Sequence, residues 1–240
     1  MEIEVIPGFC PICEIFTTFE VHGPWSRDQL ICSTCQSIPR ERALCFALNQ
    51  ISPEYARKAI HESSPADRGI SRKLRETCSN YINSQFFPNS KEKFVGNFYN
   101  IDLENQDFPD GKFDIFVSLD VMEHVFDPKK AIMEIYRTLK VGGFAIMTFP
   151  IIKSQVNAFT RRAELNQGIV EYLAEPQYHG NPIDKKGSLV TIDYGYDIHK
   201  EIAEWSQFNV EIIRYCRKDI GVIGEYTEVI VLTKSWGLSQ

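Results

Sequence analysis

Apolar and polar positions alternate with two different periods along most of this chain. From residue 39 onward, short apolar runs are separated by segments in which apolar residues recur every three or four positions. The apolar runs predict strands at 58–64, 81–87, 98–103, 113–121, 143–150, 210–217 and 227–235. The segments between them predict helices that begin at Pro39 and Gly69 and after Asp127 and Asp197. This α/β alternation is typical of a doubly wound parallel sheet, and the two consecutive last strands predict an antiparallel hairpin at its edge.

Residues 151–192 interrupt this alternation. They hold two prolines and three glycines and show little periodicity. A segment of this length inside a compact domain is usually a lid or a binding loop. Tyr178, His179 and Asn181 are polar side chains between turn-forming residues, and we expect them to line a substrate pocket. A surface turn rich in proline is the alternative.

Two CxxC pairs stand near the start of the chain. Cys10 and Cys13 form the first pair, and Cys32 and Cys35 form the second, with eighteen residues between the pairs. This spacing predicts a structural Zn²⁺ site with four thiolate ligands, in a zinc-ribbon module over residues 1–38. Two chance pairs or a redox disulfide are the alternatives.

Composition limits the partners and the compartment. The chain has 240 residues, of which 43% are hydrophobic, and its formal net charge is −6. An acidic chain argues against a broad electrostatic grip on nucleic acid. The first eight residues carry two glutamates and no basic segment, and no apolar run approaches membrane-spanning length. We therefore expect a cytoplasmic protein without a membrane partner, in which the remaining cysteines stay reduced.

The middle of the chain resembles the class I S-adenosylmethionine-dependent methyltransferases. The resemblance rests on the segment 102–125, which contains FDIFVSLDVMEHV, and on the pattern E-x-x-R-x-L-K-x-G-G at 134–143. It covers about residues 58–150. It implies a Rossmann-like, seven-stranded sheet with an antiparallel terminal hairpin, a catalytic domain over residues 39–240 and S-adenosylmethionine as the cofactor.

The resemblance also implies where the methionine part of the cofactor binds. Glu62 matches the acidic position of the family, but only Gly69 remains of the glycine-rich turn that normally follows. We expect the hydroxyls of Ser63 and Ser64 and the guanidinium of Arg68 to bind the methionine carboxylate in its place.

The remaining cofactor contacts follow from the same resemblance. The family places a carboxylate at the end of its second strand to bind the ribose, where this chain offers Ser84 and Gln85. Asp102 and Leu103 keep the family pattern for the adenine, as a carboxylate for the exocyclic amine and a backbone N–H for a ring nitrogen. Asp120 follows the fourth strand and is expected beside the cofactor.

His124 and Asp120 are the candidate catalytic residues. Both lie just after the fourth strand, at the edge where ligands bind in such sheets. A histidine has a suitable pKa for a general base. A structural role for His124, in capping the next helix or packing on the cofactor, is the alternative. Arg40 and Arg42 are candidates for binding an anion or, equally, for salt bridges on a helix surface.

Three functions are compatible with these features. The first is methyl transfer to a small polar molecule or a sugar-type acceptor, which suits the acidic chain and its polar loop. The second is methylation of RNA with the zinc ribbon as a docking module, an arrangement that resembles the ribosomal RNA guanine methyltransferases. The third is a non-catalytic scaffold that binds zinc and cofactor, which only the altered glycine turn favours.

Overall fold

The computed structural model describes residues 4–181 and 185–235. The helices are α1 (Ser26–Gln29), α2 (Pro39–Ile51), α3 (Gly69–Thr77), α4 (Pro128–Thr138) and α5 (Ile198–Trp205). The strands are β1 (Glu4–Cys10), β2 (Ile15–Val21), β3 (Leu30–Cys32), β4 (Ala59–Ser63), β5 (Asn80–Gln85), β6 (Phe94–Val95), β7 (Phe98–Asn100), β8 (Phe113–Leu119), β9 (Leu139–Thr148), β10 (Phe159–Arg161), β11 (Ala163–Asn166), β12 (Ile169–Tyr172), β13 (Tyr178–His179), β14 (Ser188–Leu189), β15 (Ile192–Tyr194), β16 (Phe208–Ile213) and β17 (Val229–Lys234). No helix within these ranges is long and apolar enough to cross a lipid bilayer.

The central sheet confirms the predicted fold and adds one strand. Its order is β16-β17-β9-β8-β4-β5-β7-β6. The strands from β9 to β7 in this order run parallel, whereas β17 runs antiparallel to both of its neighbours. The sequence predicts seven of these strands. The eighth, β6, has two residues and pairs antiparallel with β7 at the edge, where the rings of Phe94 and Tyr99 pack at a tilt with centroids 4.2 Å apart.

A small antiparallel sheet, β1-β2-β3, precedes the central sheet in the chain. Its apolar side chains do not form a separate core. Phe19 and Leu30, both buried, belong to the same apolar cluster as Leu44 of α2 and Ile60 of β4. The N-terminal sheet is therefore stabilised largely by packing against the apolar side chains of α2 and β4.

Arg42 of α2 links the two sheets from inside this cluster. Its guanidinium is fully buried and lies 4.5 Å from the ring centroid of Phe19. Its Nη2 donates hydrogen bonds to the carbonyl oxygens of Leu30, at 2.9 Å, and Gly221, at 2.7 Å. Burial lowers the pKa of Arg42 to about 10. Arg42 thus holds the N-terminal sheet to the rest of the protein and does not face a ligand.

The segment 151–192 is more regular than its sequence indicates. It pairs as β10 with β15, β11 with β12 and β13 with β14, all antiparallel. These strands have two to four residues, which is too short for the alternation of apolar and polar positions that marks a strand. The hairpin of β13 and β14 carries the predicted substrate residues Tyr178 and His179.

Candidate functional site

A cavity of about 730 Å³ opens where β8 and β9 end. Three parts of the chain form most of its wall. The sheet edge contributes Asp120, Glu123, His124 and Pro150; the N-terminal module contributes Trp25, Arg27 and Asp28; and the segment after β9 contributes Gln177, Tyr178, His179, Gly180 and Asp193. Arg40, Arg68 and Tyr226 complete the polar lining. The cavity therefore lies at the carboxyl edge of the parallel strands, where such sheets bind ligands.

Asp120 occupies the centre of an ionic cluster in this wall. Its backbone has a φ of +53°, a left-handed conformation at the turn that follows β8. Arg27 Nη2 donates to Asp120 Oδ2 at 2.5 Å, and Arg40 Nε lies 2.9 Å from the same oxygen. Arg40 also pairs with Asp28. Burial opposes the charge on Arg40, but the carboxylates of Asp120 and Asp28 raise its pKa above the ordinary value.

This cluster joins three elements at one point. Arg27 comes from α1, Arg40 from α2 and Asp120 from the end of β8. All three side chains are at most 15% exposed. Both guanidinium groups contact the same carboxylate oxygen of Asp120, so the geometry favours Asp120 as the group that positions the pocket wall. Its catalytic role stays a prediction.

His124 lies in a single helical turn, Met122–His124, and lines the cavity. Its Nδ1 is 2.8 Å from the carbonyl oxygen of Leu189. A carbonyl oxygen only accepts hydrogen bonds, so Nδ1 carries a proton, and in the neutral ring the lone pair is on Nε2. The ring of His179 lies edge-on to that of His124, with centroids 5.2 Å apart. The structure thus brings together His124 and His179, which the sequence separates by fifty-five positions.

The predicted substrate residues do not all reach the cavity. Tyr178 and His179 line it. The amide Nδ2 of Asn181 instead donates to Ser188 Oγ at 2.9 Å, across the hairpin. Asn181 therefore supports the shape of this hairpin.

Two predicted cofactor residues lie where the N-terminal module meets α3. Arg68 lines the cavity, and its Nε donates to Glu41 Oε1 at 3.0 Å. Gly69 has a φ of +52°, and a Cβ at this position would lie 2.2 Å from Glu41 Oε2. Because Glu41 Oε2 also accepts from the N–H of Ile38 at the start of α2, Gly69 is required by this helix cap. The helix cap alone therefore explains the glycine at this position, without a contact to a cofactor.

Glu62 and Ser84 face the interior of the sheet. The carboxylate of Glu62 is fully buried and accepts hydrogen bonds from Ser71 Oγ at 2.5 Å and Tyr81 Oη at 2.7 Å. Burial raises the pKa of Glu62 to about 7. Ser84 Oγ is also fully buried, 2.7 Å from His61 Nε2. Both side chains therefore stabilise the strand ends through buried hydrogen bonds.

Other predicted cofactor residues are closer to solvent, at the ends of β4, β5 and β7. Ser64, Gln85 and Asp102 are each partly exposed, whereas Ser63 and Leu103 are buried. The N–H of Ser64 donates to the carbonyl oxygen of Ser84 at 2.8 Å, which fixes the turn after β4 against β5. Asp102 Oδ1 accepts from the N–H of Glu104 at 2.9 Å. A row of polar groups therefore follows the carboxyl edge next to the cavity.

The four N-terminal cysteines fit a zinc ion. Their Sγ atoms all lie within 4.8 Å of one another. The distances from Cys10 to Cys35 and from Cys13 to Cys32 are both 3.8 Å. Zn–S bonds of about 2.3 Å in a tetrahedron give S–S edges of about 3.8 Å. A disulfide would need about 2.05 Å, and all four cysteines are free thiols.

Four residues of this site have little or no signal in the sequence. Trp25, Arg27 and Asp28 reach the cavity only because the N-terminal module docks there. Glu123 looks like an ordinary residue at the start of a helix, but its side chain is 1% exposed. The one sequence signal for Glu123 is its position beside His124.

Comparisons with known proteins agree with this fold. Residues 70–147, less than half of the chain, match the model of a family described as a methyltransferase domain. No curated protein matches the chain. In structure the chain is similar to an S-adenosylmethionine-dependent methyltransferase from Mesorhizobium loti, with 14% identity over 79% of this chain and 96% of the other and a TM-score of 0.51. It is equally similar to the PH0226 protein from Pyrococcus horikoshii OT3, with 15% identity over 82% and 90% and a TM-score of 0.51.

Proposed function

We propose that this chain, which carries a methyltransferase domain and is an enzyme of that class, transfers a methyl group from S-adenosylmethionine to a small polar molecule or sugar-type acceptor. The observation that carries the proposal is the cavity at the carboxyl edge of the sheet. Its volume of about 730 Å³ lies within the range of about 300–1,000 Å³ that is usual for small-molecule sites.

The lining of the cavity supports an uncharged polar acceptor. It combines three arginines with four carboxylates: Arg27, Arg40, Arg68, Asp28, Asp120, Glu123 and Asp193. Opposite charges that are nearly balanced favour hydroxyl or amide groups over a polyanion. Trp25 and Tyr226, whose ring centroids are 6.0 Å apart, and Tyr178 offer aromatic faces to the same space. Aromatic faces beside polar groups suit a sugar ring, which is itself apolar on its faces and polar at its edge.

The donor is placed along the neighbouring strand ends. Ser64, Gln85 and Asp102 supply partly exposed polar groups there, and we assign them to the cofactor's methionine, ribose and adenine respectively. Leu103 supplies its backbone N–H, while Glu62, Ser63 and Ser84 hold the strand ends in shape. Arg68 belongs to this row and also lines the cavity, so donor and acceptor would meet beside it.

The chemistry needs alignment and one proton acceptor. The acceptor's oxygen or nitrogen attacks the methyl carbon, the bond from that carbon to sulfur breaks, and sulfur keeps the electron pair. The products are S-adenosylhomocysteine, the methylated acceptor and a proton. His124 Nε2 is available to take this proton, because the proton on Nδ1 is engaged by Leu189.

The N-terminal module is assigned to the pocket and not to RNA. We place a Zn²⁺ at Cys10, Cys13, Cys32 and Cys35, in a module over residues 1–38 that precedes a catalytic domain over 39–240. The module turns Trp25, Arg27 and Asp28 into the cavity wall, so segment 151–192 and the module would enclose the acceptor from two sides. All seven cysteines are free thiols, which suits a reducing compartment such as the cytoplasm.

Methyl-labelled S-adenosylmethionine tests the acceptor class. The full chain is incubated in parallel with a pool of saccharides and with total RNA, and the label in each fraction is counted. We expect label in the saccharide fraction, because the cavity is small and its charge is balanced. Label confined to RNA would instead establish RNA as the acceptor, and label in neither pool would remove the sugar-type acceptor.

A loop variant tests which ligand the hairpin serves. The double variant His179→Ala, Asn181→Ala should lower the rate of transfer at least tenfold while the affinity for S-adenosylmethionine changes little, because the two ligands occupy separate subsites. Transfer is measured by label incorporation and cofactor affinity by calorimetry. His199→Ala, a histidine outside the cavity, is the matched control. Loss of cofactor affinity with normal transfer would show that the hairpin binds the cofactor and not the acceptor.

A further inference from the structure

We propose that Glu123, His124 and His179 form a second metal site, for a divalent transition cation, in the wall of the cavity. One carboxylate oxygen and one ring nitrogen from each histidine lie within 4.8 Å of one another. Two imidazoles and one carboxylate are a recurrent ligand set for Zn²⁺ and for Fe²⁺ or Mn²⁺ in catalytic sites. All three residues line the same cavity.

Glu123 is the strongest observation for this site. Its side chain is 1% exposed. Neither carboxylate oxygen accepts a hydrogen bond from the residues that the structure describes. The nearest basic group is His179 Nδ1, which lies 3.5 Å from Glu123 Oε1. A buried carboxylate without hydrogen bonds is strongly disfavoured unless a cation or a proton compensates its charge, and a bound cation would do so here.

His124 has the orientation of a metal ligand. Its Nδ1–H donates to the carbonyl oxygen of Leu189 at 2.8 Å, which makes Nε2 the nitrogen available to a metal. Histidines that bind metals usually donate their other ring N–H to a carbonyl or carboxylate in this way, because the contact fixes the tautomer and the ring orientation.

The distances fit a site that closes with small movements. Zinc bonded to N and O ligands at about 2.0–2.1 Å gives edges of about 3.4 Å in a tetrahedron. The Glu123–His179 pair, at 3.5 Å, already matches this value. The other two separations are at most 4.8 Å and both involve His124, so movements of about 1 Å in the His124 and His179 side chains would bring them to this value. His179 is 36% exposed on a two-residue strand, which leaves room for its movement.

The open position of such a site would face the acceptor. Three protein ligands leave a fourth position for a substrate or water oxygen. A cation there would lower the pKa of a bound hydroxyl and take over the role given above to the His124 lone pair. This consequence rests on the proposed function, but binding of the cation does not.

The test is metal uptake by the full chain. Protein that retains the zinc of its four-cysteine site is dialysed against a weak chelator and then titrated with Zn²⁺ and, separately, with Mn²⁺ by calorimetry. The wild-type protein should bind one further ion per chain. Glu123→Gln and His179→Ala should each weaken this binding at least tenfold. His199→Ala should bind like the wild type, although His199 Nδ1 has the same contact with a carbonyl oxygen, at 2.8 Å from that of Tyr196.

The outcomes test the metal site independently of the proposed cofactor site. His179 is partly exposed, so its alanine variant carries the result even if Glu123→Gln fails to fold. Wild-type protein that takes up no further ion, or a His179→Ala variant that binds it unchanged, would overturn the proposal. S-adenosylmethionine affinity is measured on the same samples, because normal cofactor binding without ion uptake would remove the metal site alone.

Discussion

A Cys32→Ser variant is expected to lose its zinc and several kcal/mol of unfolding free energy. Cys32 is fully buried in the cluster that also contains Phe19 and Leu30. A structural zinc ion contributes on the order of 10 kcal/mol to the folding of small modules, and three thiols would not retain it firmly. Because the N-terminal sheet shares its core with α2 and β4, the loss should extend beyond the module. Zinc content by mass spectrometry and unfolding in urea are the measurements.

Cys216→Ser is the matched control for this experiment. Cys216 is an exposed thiol outside the cluster, so its replacement should change neither zinc content nor stability. A Cys32→Ser protein with one zinc per chain and unchanged unfolding would show that the four cysteines do not hold the metal.

An Asp120→Ala variant is expected to be the least stable of the variants in the cavity wall. It leaves the guanidinium groups of Arg27 and Arg40 close together and without the carboxylate between them. Removal of one partner from a buried ionic cluster costs about 3–5 kcal/mol of unfolding free energy. Asp28 should reduce this cost, because it also pairs with Arg40. A loss of about 3 kcal/mol in urea unfolding is therefore expected.

Asp219→Ala provides the comparison for an exposed ion pair. Asp219 pairs with Arg217 at 2.5 Å on the surface, where water and salt screen the interaction. Asp219→Ala should lose clearly less unfolding free energy than Asp120→Ala. Equal losses for the two variants would mean that the cluster around Asp120 does not hold the N-terminal module in place.

The central sheet follows from the sequence because its strands are long and buried. The run FDIFVSL of β8 is apolar on both faces, as parallel strands between helices are. The turn between β6 and β7 contains Gly96, which has a φ of +59°. Because β6 has only two residues, it shows no alternation of apolar and polar positions from which a strand could be predicted. The hairpins after β9 escape prediction for the same reason, since their pairing depends on packing and not on local pattern.

The site is less accessible from the sequence, for physical reasons that particular residues show. Cysteine spacing alone brings four ligands together, because each CxxC turn fixes its own pair. Contacts such as Arg27 with Asp120 join residues ninety-three positions apart, and no local pattern encodes them. The resemblance implies Ser84 as a ribose ligand, but Ser84 is buried beside His61, whose pKa burial lowers to about 3. A polar residue beside a buried neutral histidine can thus face the core.

Calorimetric titration with S-adenosylmethionine tests the central claim, which is that the strand ends beside the cavity bind this donor. The wild-type protein should bind one molecule per chain. Asp102→Ala should bind at least tenfold more weakly, because a hydrogen bond to a charged group contributes about 1.5–3 kcal/mol. Asp107→Ala, which removes a nearby carboxylate that pairs with Lys93 on the surface, should bind like the wild type. A wild-type protein that binds no S-adenosylmethionine, or an Asp102→Ala variant that binds it equally well, would contradict the account.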